Sequence, residues 1–78
     1  MELNLLGYTV DEALNEVDKF LDSGMLRAQH TLYIIHGNGT GALRTAIQKH
    51  LRTHKAVKSF RAGRYGEGES GVTVVELK

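Results

Sequence analysis

The residues best suited to chemistry lie in one run, Ile35-His36-Gly37-Asn38-Gly39-Thr40-Gly41-Ala42-Leu43. Three glycines between a strand end and a helix start allow close backbone approach. The helix start adds free N–H groups and the positive end of a dipole, which suit a phosphate oxygen. His36 could donate a hydrogen bond or act as acid or base near neutral pH. Thr40 adds a hydroxyl, and Arg44, one turn into the helix, can point to the same anion. Candidate phosphate contacts are therefore Gly37, Asn38, Gly39, Thr40, Gly41 and Arg44. The loop is not a Walker A sequence, because it has no Gly-Lys-Ser/Thr. It also lacks the spacing of a dinucleotide fingerprint and its downstream acid. The plainer alternative is a tight strand-to-helix turn, with His36 bonded to a backbone carbonyl.

Two other clusters invite the same question. His50 and His54 are four apart on a helix, a metal-ligand spacing. No Glu accompanies them and they share the apolar stripe, so packing is the expected role and no metal ligand is assigned. The segment Gly63–Gly71 holds four glycines with Arg64 and Tyr65. Arg61 and Arg64 could contact phosphate and Tyr65 could stack a base; a flexible hairpin loop explains the same composition.

Charge points the same way. The net charge of +1 is unevenly spread. Residues 1–22 carry −5, residues 23–66 carry +8 with no acid, and residues 67–78 carry −2. An acid-free basic segment that includes Arg44, Arg52, Arg61 and Arg64 suggests a polyanion partner, the backbone of DNA or RNA. Pairing between an acidic first helix and a basic second one is the alternative.

The elements that must position these residues follow from periodicity. The chain has 78 residues, 41% of them hydrophobic, enough for one domain and one small core. There is no cysteine and no proline, so disulfides and Cys-based metal sites are excluded. Apolar runs reach about four residues, far short of a membrane span, and no signal peptide is visible; a cytoplasmic protein without membrane contact is the expectation. Leu3–Leu6 predicts a first strand, closed by Gly7. Thr9 and Glu12 have capping-box spacing and begin a helix through Val10, Leu14, Val17 and Leu21, with Gly24 as its stop. Leu32–Ile35 predicts the second strand. Ala42 to about His54 predicts a second helix, N-capped by Thr40, with Arg44, Gln48, Arg52 and Lys55 on its polar stripe. Val57–Ala62 and Val72–Leu77 complete a β-α-β-α-β-β order. The helix-facing residues of the last strand are either Val75 and Leu77 or Val72 and Val74. Right-handed crossovers put both helices on one face of a mixed four-stranded sheet, an α/β two-layer sandwich closed by an antiparallel hairpin.

His36-Gly37-Asn38-Gly39-Thr40-Gly41 followed by Ala42-Leu43-Arg44 resembles the HGxGTG signature of Smr (small MutS-related) domains. The capped helix from Thr9, the Val57–Phe60 strand and the ending Gly66–Leu77 are similar too, so the resemblance covers Leu3 to Lys78. In particular the chain resembles the C-terminal domain of the second bacterial MutS paralogue. The resemblance implies a fold like the C-terminal domain of translation initiation factor three, and an endonuclease that nicks DNA or cleaves RNA. It implies a parent protein with an ATPase and clamp region, of which 1–78 is one domain. That parent is homodimeric, suppresses recombination and rescues collided ribosomes, so the ribosome is a further partner and ATP belongs to the other domains. The domain alone is expected to be monomeric; no cofactor is assigned, and a divalent metal stays open.

One family motif differs. Smr domains open with Leu-Asp-x-His-Gly or Leu-Asp-Leu-Arg-Gly, where this chain reads Leu3-Asn4-Leu5-Leu6-Gly7. Asn cannot accept a proton as a carboxylate does, and Leu cannot contact phosphate. The catalytic pair implied is His36 with Asn4, which would orient His36 or a water. Asn4 is expected at the end of strand one, its side chain flanking the same pocket as His36. The alternative function is a non-catalytic module that docks on DNA or ribosomal RNA.

Overall fold

The computed structural model describes all 78 residues. The chain runs β1 (Glu2–Asn4), α1 (Val10–Leu26), β2 (Thr31–Ile35), α2 (Ala42–Arg52), β3 (Val57–Ala62), a single 3₁₀ turn (Glu69–Gly71) and β4 (Val72–Leu77). The four strands form one sheet in the order β1-β2-β4-β3. β1 pairs with β2 in parallel, and β4 runs antiparallel to both β2 and β3. The sandwich expected from periodicity is the one observed. Both helices cover one face, because a right-handed crossover returns each strand to the same sheet.

α1 starts as its capping box requires. Glu12 donates its backbone N–H to Thr9 Oγ1 at 3.2 Å, and Thr9 donates its own to Glu12 Oε1 at 2.9 Å. These bonds, the backbone one foremost, hold the Glu12 carboxyl below its ordinary range. The helix does not stop at Gly24. Gly24 is buried inside α1, and a Cβ there would lie 2.8 Å from Leu32 Cδ1 and 3.1 Å from Leu77 Cδ1. The glycine lets α1 approach the sheet; it does not end the helix. α1 ends two residues later, where Gln29 donates to Gly24 O and Ala28 to Met25 O. This is a Schellman closure with Ala28 in the left-handed position at φ 55°.

The core lies between sheet and helices. Leu5, Val17, Leu21, Leu32, Ile34, Ile47, Leu51 and Val75 are each 1% exposed or less. On β4 it is Val75 and Leu77 that join this core, with Thr73 on the same face. Val72 and Val74 point to the other face, beside Ile35 and Tyr33. The 63–71 segment lies over part of that face, where Gly66–Gly68 approach Tyr33, Ile35 and Val72. β1 and α2 are shorter than predicted. The chain leaves β1 after Asn4 because Tyr8 donates to Leu5 O, closing a turn. α2 ends at Arg52, with Thr53 as C-cap. No helix is long and apolar enough to cross a membrane.

His50 and His54 lie between the helices. His50 Nε2 is 2.6 Å from Asp18 Oδ1, and His54 Nε2 is 3.8 Å from the same oxygen. They pack α2 against α1 through an α1 carboxylate, and no group of three metal-ligating side chains forms anywhere. The pairing of acidic and basic helices is thus made by these histidines. None of the Lys or Arg residues of α2 forms an ion pair.

Candidate nucleic-acid interface

The glycine loop leaves β2 at His36 and enters α2 at Ala42. Its first two amides are tied down: His36 and Gly37 both donate to Gly71 O at 3.0 Å. Ser70 adds a 2.6 Å hydrogen bond to Asn38 Oδ1. The far end of the β3–β4 connection therefore buttresses the loop from behind. Gly41 donates to Asn38 O and takes the N-cap position at φ 84°. The N-cap is thus Gly41 and not Thr40, since the chain must turn through the left-handed region to enter the helix. Thr40 Oγ1 instead accepts the Ala42 N–H at 3.3 Å.

The amides of Asn38, Gly39, Thr40, Leu43 and Arg44 find no protein acceptor. They cluster at the positive end of the α2 dipole. Arg44 folds back over the loop, its Nη2 3.6 Å from where a Gly41 Cβ would stand. Its guanidinium makes no ion pair or hydrogen bond within the chain. The loop and Arg44 line an open cleft of about 340 Å³, closed on the far side by Tyr8, Thr9 and Val10. Unused donors, a dipole and an unpaired arginine around one cleft are a binding geometry for a phosphate oxygen. Gly37 and Gly41 shape this cradle but do not offer their own N–H groups.

His36 forms part of the cleft floor and is only 4% exposed. Its Nδ1 lies 2.8 Å from Gly37 O, and its Nε2 lies 2.8 Å from Thr73 Oγ1. Neither ring nitrogen is free in this arrangement. Gln48 Nε2 approaches the same Thr73 hydroxyl at 3.5 Å. Thr73 and Tyr8 escaped the sequence reading, and Gln48, read there as part of the polar stripe of α2, turns to Thr73 instead. The one local signal was a lone hydroxyl in the apolar run Val72-Thr73-Val74-Val75.

The structure does not bring Asn4 to His36. Asn4 pairs with Ile35, whereas Leu3 and Leu5 on either side of it face the core. Asn4 and His36 thus sit at the same end of the sheet but project from opposite faces. The Asn4 Oδ1 accepts the Leu6 N–H at 3.0 Å and caps the turn after β1. A carboxylate at position 4 would occupy the same face.

The outlying arginines separate as well. Arg52 is near the far end of α2, two turns beyond Arg44, its guanidinium 5.7 Å above the Phe60 ring centroid. Arg61 pairs with Val74 on the face away from the helices. It donates to Glu67 Oε1 at 2.8 Å and to Oε2 at 3.3 Å. That fork, aided by the Arg64 N–H at 2.8 Å, draws the Glu67 carboxyl from 4.5 down to about 2. Arg61 is spent on the loop. The Arg64 and Tyr65 side chains are exposed at its start. The cleft lining holds no carboxylate.

Comparison with known proteins agrees with this architecture. The Smr domain family matches residues 3–78. Endonuclease MutS2 of Acetivibrio thermocellus is 54% identical over 99% of this chain, and that of Staphylococcus carnosus is 55% identical over the whole of this chain. The chain spans about 10% of the length of these relatives. The crystal structure of the Smr domain of Thermus thermophilus MutS2 superposes with a TM-score of 0.97 at 51% identity, covering 99% of this chain and 96% of that one. YdaL, a stand-alone small MutS-related protein from Escherichia coli, superposes with a TM-score of 0.93 at 25% identity, over 99% of this chain and 63% of YdaL. The chain belongs to the Smr domain family.

Proposed function

We propose that this chain is a nucleic-acid-binding endonuclease module that takes a backbone phosphate of DNA or RNA into the glycine-loop cleft. The observation that carries the reading is the set of unpaired amides at Asn38–Thr40, Leu43 and Arg44 beneath a free Arg44 guanidinium. Family membership supports it, since the relatives are named endonucleases. In hydrolysis a water oxygen bonds to phosphorus and gives up a proton, the P–O ester bond breaks, and the leaving oxygen takes a proton. Stabilising charge on the phosphoryl oxygens is the main demand, and the loop amides, the Thr40 hydroxyl and Arg44 meet it. His36 is the one imidazole lining the cleft, and we assign it the acid–base role.

Nicking of supercoiled plasmid, compared among wild type, His36→Ala and Arg44→Ala, tests the proposal. Wild type should convert plasmid to the open circle, both variants should lose most of that rate, and Arg44→Ala should also bind more weakly. Absence of nicking by wild type refutes the cleavage reading. Salt-sensitive binding without nicking would instead support the second reading, a docking module for DNA or RNA. That reading is favoured by one observation, the engagement of both His36 nitrogens.

A further inference from the structure

The His36 hydrogen bonds determine where its proton sits. Gly37 O is a carbonyl and can only accept, so the Nδ1 that meets it at 2.8 Å carries a hydrogen. In the neutral ring Nε2 must then accept, and Thr73 Oγ1, also at 2.8 Å, must donate to it. The Thr73 hydroxyl has one hydrogen, already given to His36. Gln48, at 3.5 Å, therefore presents its NH₂ side to the remaining lone pairs of that oxygen. The chain of donors runs in one direction, Gln48 to Thr73 to His36 to Gly37. Thr73 is fully buried and His36 nearly so, so water does not offer either ring nitrogen an easy substitute.

We infer that Thr73, backed by Gln48, is a positioning residue: the Gly37 carbonyl holds His36 as its Nδ1–H tautomer, and the Thr73 hydroxyl, donating to Nε2, fixes the ring with that proton on the glycine-loop side. A free histidine side chain favours the opposite tautomer, with the proton on Nε2, so the preference must come from the protein. Two consequences serve the cleft. The nitrogen bearing the proton is the one beside the loop, bonded to Gly37 O. The Gly37 carbonyl is also pinned toward the ring. In a trans peptide the N–H points opposite to the C=O, so the Asn38 N–H is turned away from the ring, among the unpaired amides. The inference rests on the proposed phosphate site for its purpose, but its hydrogen-bond content stands independently of any cleavage.

The test is ¹⁵N-detected long-range proton correlation on ¹⁵N-histidine-labelled full chain, at a pH where the ring is neutral. His36 should show a protonated, pyrrole-type Nδ1 and a bare, pyridine-type Nε2. Thr73→Ser, which keeps the hydroxyl, should preserve that pattern. Thr73→Val, whose side chain neither donates nor accepts, should keep the Nδ1–H but move the Nε2 resonance off its hydrogen-bonded position, and slow plasmid nicking about tenfold or more, as loss of orientation does. A pyrrole-type Nε2 in wild type overturns the inference, and so does an Nε2 resonance that does not move in folded Thr73→Val. The wild-type spectrum decides the question even where Thr73→Val does not fold. A protein with the Nδ1–H signature that neither nicks nor binds nucleic acid would leave the positioning intact and overturn the phosphate site alone.

Discussion

The Leu6 side chain lies directly against the backbone of Gly37. A Cβ built on Gly37 would stand 2.8 Å from Leu6 Cδ2, and Gly37 has φ 77°. The turn after β1, capped by Asn4, thereby presses on the start of the loop that β2 delivers. Asn4 is thus tied to Leu6, whose side chain meets the loop, while its own side chain stays on the far face of the sheet. Gly37→Ala should be destabilising on two counts. The left-handed backbone costs about 1–2 kcal/mol for a residue with a Cβ, and Leu6 must also give way. Urea denaturation should show a loss of about 2 kcal/mol, and Leu6→Ala in the same background should restore part of it.

Arg44 and Arg61 should behave differently in binding. Binding of any polyanion in the cleft should weaken with salt, by about one unit of log–log slope per neutralised phosphate. Arg44 is unpaired at the loop, so Arg44→Ala should lower that slope by about one and weaken all sequences alike. Arg61 is on the opposite face and forked onto Glu67, so Arg61→Ala should leave the slope unchanged. Fluorescence anisotropy with a labelled oligonucleotide across a salt series measures both.

Acid should act on the 63–71 connection through Glu67. Its carboxyl is held down at about 2, against 4.5, first by the Arg61 hydrogen bonds and next by the Arg64 N–H. A depressed folded-state value means the stabilisation is complete above the unfolded value. It is then lost as pH falls from about 4.5 through about 2. Glu67→Gln should flatten the stability curve in that window and leave its neutral arm unchanged in slope. An NMR titration of the Glu67 side-chain carboxyl checks the midpoint directly.

The C-terminal end of α1 offers two opposite glycine experiments. Gly24→Ala improves helix propensity by up to about 1 kcal/mol, yet its new methyl meets Leu32 and Leu77. Overpacking of a tight core costs about 1–3 kcal/mol, so the net effect should be destabilising. Ala28→Gly should do the reverse and stabilise by about 0.5–1 kcal/mol, because φ 55° suits glycine. Thermal melts of both variants decide the signs.

The elements and their order were legible in the sequence because their signals are local. The Thr9–Glu12 capping box, the Val10, Leu14, Val17 and Leu21 spacing and the β-rich run before His36 each act within a few residues. The same holds for the glycine loop, whose shape depends on its own backbone freedom. What the local pattern could not supply was which distant residues share a face. Inserting β4 between β2 and β3 puts Thr73 beside His36, 37 residues away in sequence. Pleat parity alone decides that Asn4 faces away from His36, since a one-residue step reverses a side chain. Gly24 read as a stop because a buried glycine and a terminal one look alike until the sheet beneath is in place. Arg61 read as a phosphate contact because only the folded β3–β4 connection brings Glu67 onto it. Sequence alone thus determined the strand-to-helix glycine loop and the acid-free basic segment around it. Tertiary structure decided which of those donors remain free, because hydrogen bonds and ion pairs between distant segments had already claimed the rest.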